Sequence, residues 1–394
     1  MARKILTLNQ ISIRGLERLP RDCYEIASEF SHPDAILLRS HQLQPEDIAD
    51  SVLAIGRAGA GVNNIPVQEC TRRGIPVFNS PGANANAVKE LVATAMLLGS
   101  RGIIEGVRYV DTLAEMTDKA EMHRTLEAQK KQFKGNELVG KTLGVVGLGA
   151  IGSMVAEMAL TMGMEVVGYD PALSVEAAWR LSSKVRKADT LSALFARSDY
   201  ITLHLPVLDS TRGLINAELL GAVKADACLL NFARQEIVNE DDIIAALDGG
   251  KLRKYIADFP SPDLIGRDDV ILMPHIGAST DEAEDNCAIM AADQLRDFLE
   301  NGNIRNSVNF PALELERVKG CRLSFSNENV PRILGSVLAI LADENVNVID
   351  MLNKSRADIA YNLIDIDTHI TDVVLKRMNE LEGVINVRLI GDCA

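Results

Sequence analysis

The sequence predicts an α/β protein of two parallel-sheet units followed by a small α+β unit, and three patterns predict it. Short runs rich in Val, Ile and Leu, each ending in a polar or glycine-containing turn, alternate with helical stretches through most of the 394 residues. A strand, Thr142-Leu-Gly-Val-Val, runs into Gly147-x-Gly149-x-x-Gly152 and then a helix of small and apolar residues. Past residue 318 the pattern restarts in the order β-α-β-β-α-β.

The elements follow in order. Ile5 to Leu8, Ala35 to Leu38, Val52 to Ile55 and Pro76 to Asn79 read as strands of a small flavodoxin-like domain spanning residues 1–98. Val88 to Leu98 is a long apolar helix leaving it. Residues 99–279 form the next domain, with strands at Thr142, Glu165 to Tyr169, Tyr200 to Leu205, Cys228 to Phe232, Lys254 to Asp258 and Val270 to Pro274. A helix starting near Ser279, with Glu282 completing a capping box, crosses back to the first domain, which residues 280–312 complete. The loop Asn301 to Pro311 closes it. The third unit, residues 318–394, reads as strand Cys321–Phe325, helix Pro331–Asn345, strands Val346–Asn353 and Ala360–Ile366, helix Thr371–Leu381 and strand Val384–Leu389. That order is ferredoxin-like and is expected to stand as a separate unit.

The glycine motif carries the most chemistry. The first glycine makes a tight turn, the second lets backbone approach a pyrophosphate, and the third lets helix and strand pack closely. The helix start at Ala150, Ile151 and Gly152 offers N–H groups to an anion. A second strand ends in Asp170, where a carboxylate takes ribose hydroxyls and repels a ribose phosphate. The middle domain is therefore expected to be a Rossmann-type, doubly wound parallel sheet with NAD as cofactor.

Ligands of such sheets lie beyond the carboxyl ends of the strands, so the residues immediately after strands are the informative ones. His204-Leu-Pro206, Asn231-Phe232-Ala233-Arg234, Asp258-Phe-Pro and His275-Ile-Gly277-Ala278 fill these turns. Arg234 offers a planar fork suited to a carboxylate, and His275 an imidazole able to exchange a proton near neutral pH. Oxidation of a secondary alcohol by hydride transfer needs that pair.

Composition bounds the rest. A formal charge of −14 argues against nucleic-acid or anionic-membrane partners, and 47% apolar residues supply large cores. No segment is long enough to span a bilayer, and no signal-peptide pattern opens the chain, so a cytoplasmic location is expected. Cysteines at 23, 70, 228, 287, 321 and 393 show no metal or redox spacing and read as reduced thiols; no metal site is expected.

Taken together, Gly56-Arg-Ala-Gly-Ala-Gly-Val-Asn-Asn64, Gly74-Ile-Pro-Val-Phe-Asn79, the glycine motif with Asp170, Asn231-Phe-Ala-Arg234 and Pro274-His-Ile-Gly-Ala-Ser-Thr280 resemble the D-isomer-specific 2-hydroxyacid dehydrogenases over nearly the whole length. The third unit looks like the ACT domain that many of them carry, which points to a phosphorylated substrate, D-3-phosphoglycerate, rather than a simpler hydroxy acid. The rival readings are a dehydrogenase for another D-2-hydroxy acid and a non-catalytic NAD-sensing protein. The resemblance implies that His275 takes the 2-hydroxyl proton and Arg234 clamps the substrate carboxylate. It also implies that His204, Pro206, Phe232, Ala233, Asp258, Gly277 and Ala278 line the cofactor, with Asp258 meeting the nicotinamide amide. Substrate contacts implied are the backbone of Ala60, Gly61 and Val62, then Arg39 and Ser40 for the phosphate, and Lys130, with Lys131 and Lys134 beside it, reaching across a dimer. An L-serine effector site is implied at Asn327, Asn329 and Asn347, and a homo-oligomer, dimer or tetramer.

Three departures stand out. Most relatives place a glutamate shortly after the strand that here reads Ile256-Ala-Asp-Phe-Pro-Ser-Pro-Asp263, so the group that orients His275 is unassigned, with Asp258 and Asp263 as candidates. Gln235 stands in place of a glycine after Arg234, and Arg332 in place of a glycine at the effector site.

Overall fold

In the computed structural model, which describes residues 2–318 and 320–391, the chain divides into two compact units, 1–84 with 280–394 and 85–279. In the first unit, strands β1 (Arg3–Leu8), β2 (Tyr24–Ala27), β3 (Ala35–Leu38), β4 (Ala54–Arg57) and β5 (Val77–Phe78) form a parallel sheet in the order β2-β1-β3-β4-β5. This is the flavodoxin-type order, and β3, Ala-Ile-Leu-Leu, is buried on both faces as a central parallel strand requires. The helix Asp281–Asn301 covers one face through Ala283, Cys287, Ala288, Ala291, Leu295 and Phe298, a stripe at three- and four-residue spacing. Its N-cap is Thr280, whose Oγ1 accepts the Ala283 N–H at 3.1 Å, so the expected Ser279 start moves by one residue. Gly15 and Gly56 pack so closely on this helix that a Cβ on either would collide with Ala288 or Leu295.

The second unit holds β6 (Thr142–Val146), β7 (Glu165–Tyr169), β8 (Arg186–Lys187), β9 (Tyr200–Leu203), β10 (Ala227–Asn231), β11 (Leu252–Ala257) and β12 (Val270–Leu272). All are parallel, in the order β12-β11-β10-β9-β6-β7-β8. The order reverses between β6 and β9, which creates the crevice where ligands of doubly wound sheets sit. The apolar helix Ala85–Ser100 belongs here, since Val88, Val92, Ala95 and Met96 pack with Val155, Ala156 and Ile256. The two-residue edge strand β8 is exposed on both residues and was not expected from the sequence. The short edge strand β2 was not expected either.

In the first unit the chain ends in an antiparallel sheet of β13 (Cys321–Glu328), β14 (Val348–Arg356), β15 (Ile359–Ile366) and β16 (Val384–Ile390), in the ferredoxin-like order β14-β15-β13-β16. Two helices, Ile333–Asp343 and Asp372–Asn379, cover one face over Leu323, Phe325, Ile364 and Ile366.

This sheet does not stand apart as the sequence suggested. Its other face, Ile359, Tyr361 and Leu363, joins the apolar cluster of Phe298, Leu299 and Phe310. The Tyr361 hydroxyl donates to the Gly302 carbonyl at 2.8 Å. The Arg388 guanidinium lies 4.6 Å from the centre of the Phe298 ring, and burial lowers its pKa to about 10. Arg322, fully buried, pairs with Asp365 at 2.6 and 2.7 Å and donates to the carbonyls of Asn301, Leu315 and Glu316, so all five of its N–H groups are satisfied. Polar residues on an inward face hid this contact from a reading by hydrophobic pattern.

Asp365→Asn leaves the Arg322 guanidinium buried and unbalanced, and should cost about 3–5 kcal/mol in urea unfolding, whereas the apolar double replacement Arg322→Met with Asp365→Leu should recover most of that. Equal losses in the two variants would show that the pair contributes only its volume.

Candidate active site

The glycine turn closes β6. Gly147 takes φ +89°, and a Cβ there would lie 2.4 Å from the His204 carbonyl oxygen; a Cβ on Gly152 would lie 1.9 Å from the Gly147 oxygen. Gly149 is different. A Cβ on it would meet nothing within 4 Å, so this glycine faces open space and leaves room for a ligand. The helix Ala150–Thr161 begins immediately after, with Gly149 as an N-cap that has no side chain to occupy the first N–H groups. Asp170, at the end of β7, accepts the Leu148 N–H at 2.9 Å and the Ala172 N–H at 3.0 Å. A carboxylate accepts about four hydrogen bonds, so it braces the glycine turn and keeps acceptor capacity for ribose hydroxyls.

His204 follows β9. Its Nε2 lies 3.0 Å from Thr202 Oγ1, while Nδ1 is shielded from solvent with no hydrogen-bond partner among the described residues. Burial pushes its pKa down to about 3, so the ring is neutral. Open space at Gly149, unoccupied helix N–H groups, the carboxylate of Asp170 and an unsatisfied ring nitrogen beside the turn all suit a dinucleotide. Pro206 is exposed and Phe232 and Ala233 are buried at the ends of their strands.

Arg234 lies in the turn after β10. Asn231 shapes that turn: its Oδ1 accepts the Ala233 N–H at 3.2 Å and its Nδ2 donates to the Arg234 carbonyl at 3.0 Å. Arg234 itself donates from Nη1 to the Ala233 carbonyl at 2.7 Å and is otherwise exposed. His275 lies after β12, two strands away across β11, so these turns share one edge of the sheet about 10 Å apart at strand spacing. The Asp258 carboxylate accepts the Ile276 N–H at 2.8 Å and the Gly277 N–H at 2.7 Å. It thus holds the turn in which His275 adopts φ +58°, a left-handed conformation that costs an L-residue about 1–2 kcal/mol. Both oxygens engage the backbone, so the structure gives Asp258 a bracing role beyond the cofactor contact expected from sequence. Ala278 is half-buried beyond it.

In the first unit, Arg39 and Ser40 follow β3, and Arg39 pairs with Glu284 at 2.7 Å. Asn9 Oδ1 accepts the Ser40 N–H at 3.1 Å. In the loop beyond β4, the N–H groups of Ala60, Gly61 and Val62 have no acceptor among the described residues. Asn79 holds that loop by donating to the Ala60 carbonyl at 2.6 Å. Sequence reasoning missed Arg57. It donates from Nε to the Arg39 carbonyl at 3.0 Å, and its guanidinium lies against Gly59, where a Cβ would collide with it. It stands at the carboxyl end of β4, so the rule applied to the second sheet would have found it.

Other candidates are not brought together. Lys130 lies on an exposed segment paired with Glu127, and Lys131 and Lys134 are also exposed. Asn327 is buried, accepting from Asn362 at 2.8 Å, and Asn329 donates to the Ala357 carbonyl at 3.1 Å, both at one end of the third sheet. Asn347 precedes β14 at the opposite end, beside Asp367. The register puts seven residues of β13 between those ends, roughly 20–25 Å. Arg332 sits at φ +80°, the left-handed conformation that a glycine would take without strain.

Comparison with known proteins places the chain. The model for the D-isomer specific 2-hydroxyacid dehydrogenase, NAD binding domain, matches residues 103–277. A Haemophilus influenzae protein named D-3-phosphoglycerate dehydrogenase is 32% identical over 356 residues, covering 87% of this chain and 82% of that one. The chain belongs to the D-isomer specific 2-hydroxyacid dehydrogenase family. Another family member of the same name, from Methanocaldococcus jannaschii, is 34% identical over 337 residues, 83% of this chain; this chain spans 61% of its length. The crystal structure of an NAD+-bound 3-phosphoglycerate dehydrogenase from Entamoeba histolytica is 27% identical, covers 78% of this chain and 99% of its own, and has a TM-score of 0.61. The dehydrogenase-family domain is an NAD-binding one, in agreement with the glycine turn and Asp170.

Gly152→Ala should both destabilise the fold and abolish NAD binding, because its Cβ strikes backbone. Gly149→Val should fold with unchanged thermal stability yet weaken NAD binding at least about tenfold in a fluorescence titration, because it meets only ligand space. His204 sets a pH dependence: its folded pKa of about 3 lies below the unfolded 6.5, so its contribution is full above pH 6.5 and is lost as pH falls towards 3. Urea stability should fall by up to about 1.4 kcal/mol per pH unit in that window from this group, and a His204→Asn variant should show a shallower slope.

Proposed function

We propose that this chain oxidises D-3-phosphoglycerate to 3-phosphohydroxypyruvate with NAD, the first step of L-serine biosynthesis. The observation that carries the reading is the placement of a guanidinium and an imidazole in braced turns at one edge of the sheet that bears the glycine cradle. NAD, when bound, accepts the hydride from C2 of the substrate. His275 takes the proton of the 2-hydroxyl, and Arg234 binds the carboxylate with its planar fork and polarises the oxygen that becomes the ketone. Ala150, Ile151 and Gly152 hold the pyrophosphate and Asp170 the ribose, with His204, Pro206, Phe232, Ala233, Asp258, Gly277 and Ala278 around the dinucleotide. The loop Ala60–Val62 takes a second anionic group, and Arg39, Ser40 and Arg57 supply the positive charge that a phosphate requires in a chain of net charge −14.

The domain roles belong to the same proposal: substrate binding in the first sheet, cofactor binding in the second, and an ACT-type regulatory role for residues 318–394. Asn327 and Asn347 lie at opposite ends of their sheet, so an L-serine site that uses both needs a second copy of the chain. A homo-oligomer is supported by the exposed stripe Ile103, Val107 and Val110 on the helix Ile103–Asp111, spaced to lie on one face. Lys130 would then act in an assembly. A cytoplasmic location accords with the described residues, which include no helix long and apolar enough to cross a membrane.

The test compares substrates. Phosphoglycerate should be turned over with NAD far more efficiently than glycerate, and Arg57→Met should lower kcat/KM for phosphoglycerate by roughly 10–100-fold while affecting glycerate little. Equal efficiency for both acids would assign the chain to another D-2-hydroxy acid.

A further inference from the structure

A general base on a loop must be fixed twice, once at its backbone and once at its ring. Asp258 does the first for His275 through the Ile276 and Gly277 N–H groups. The ring is another matter, because neither imidazole nitrogen takes a hydrogen bond or ion pair among the described residues. What touches it is the Phe259 ring, with centroids 5.0 Å apart and planes tilted by 55°. The tilt lies between the offset-stacked and edge-to-face arrangements that aromatic pairs favour, at a centroid distance within their contact range.

Phe259 has no other evident employment. It is half-buried and belongs to none of the apolar clusters that hold its unit together. Its neighbours limit it on both sides: Pro260 restricts Phe259 to extended backbone, and Asp258 is tied to the turn of His275. One tripeptide, Asp258-Phe259-Pro260, therefore reaches both the backbone and the ring of the base.

We propose that Phe259 is a positioning residue that sets the ring orientation of His275 for proton transfer by aromatic contact. The inference rests on the reading of His275 as the base. It predicts that the contact changes how fast bound substrate reacts and not how tightly substrate or NAD binds, since Phe259 contributes no polar group to either.

The experiment compares Phe259→Leu, Phe259→Tyr and the wild type, each also in a His275→Asn background. Phe259→Leu should lower kcat roughly tenfold with KM for both substrates little changed, Phe259→Tyr should restore it, and the effect should vanish once His275 is absent. Proton NMR of the imidazole C–H groups should show His275 shifted upfield by the neighbouring ring in the wild type and in Phe259→Tyr, and released in Phe259→Leu. Unchanged kcat and unchanged His275 resonances in Phe259→Leu overturn the proposal, as does a loss that persists undiminished without His275. A wild type that turns over no hydroxy acid defeats the functional reading instead, and the resonance shift alone then decides whether the ring contact exists.

Discussion

Two backbone N–H groups donating to one buried carboxylate, Asp258, are the constraint on which the active-site geometry of the second unit rests. They hold the turn after β12 in a conformation that an L-residue avoids, and two hydrogen bonds of about 1 kcal/mol each are of the size needed to offset that strain. The backbone that carries His275 is thereby fixed by the strand before it and by the carboxylate of the neighbouring strand end. On the proposed reading of His275 as the base, a group that must meet a hydroxyl closely gains more from a fixed turn than from a longer-reaching flexible side chain.

The same device recurs at each functional turn. Asn231 closes the turn of Arg234 with both ends of its amide, Asp170 ties the glycine loop to β7, and Asn79 and Asn9 hold the loops after β4 and β3 in the first unit. In each case a short side chain at a strand end satisfies backbone groups of a loop. Glycine serves the complementary purpose at Gly149, where the absence of a side chain is the feature a ligand needs.

Much of this was legible from residues alone, for reasons that differ by element. Strands β6, β9 and β10 are buried on both faces, so their predominantly apolar runs announced a parallel sheet, and the glycine motif marked which strand begins the crevice. The edge strand β8 is Arg-Lys with no apolar residue, and β2 is a four-residue strand interrupted by Glu25, so neither has such a signature. Phe259 carries no polar group, and nothing in the sequence pairs it with His275, sixteen residues on. Arg57 was passed over inside a glycine-rich segment whose glycines drew the attention. Asn327, Asn329 and Asn347 were grouped by resemblance, and only the antiparallel register shows that one chain places them at opposite ends.

The third sheet shows why hydrophobic pattern misleads about domain independence. Reading β13, the residues that face away from its covering helices are Arg322, Ser324 and Ser326, a polar set that suggests an exposed face. All three are buried, because the guanidinium of Arg322 carries its own counter-ion in Asp365 and reaches the carbonyls of the chain that leads into the sheet. A replacement of the pair by apolar residues would recover most of the stability, but not the bonds to the Asn301, Leu315 and Glu316 carbonyls. What the charged pair adds is orientation, since five directed N–H bonds admit one docking of the sheet where an oily surface admits several. The third sheet and the first therefore share one apolar core, in which Tyr361 and Leu363 pack with Leu37 and Ala54 of the strands carrying Arg39 and Arg57.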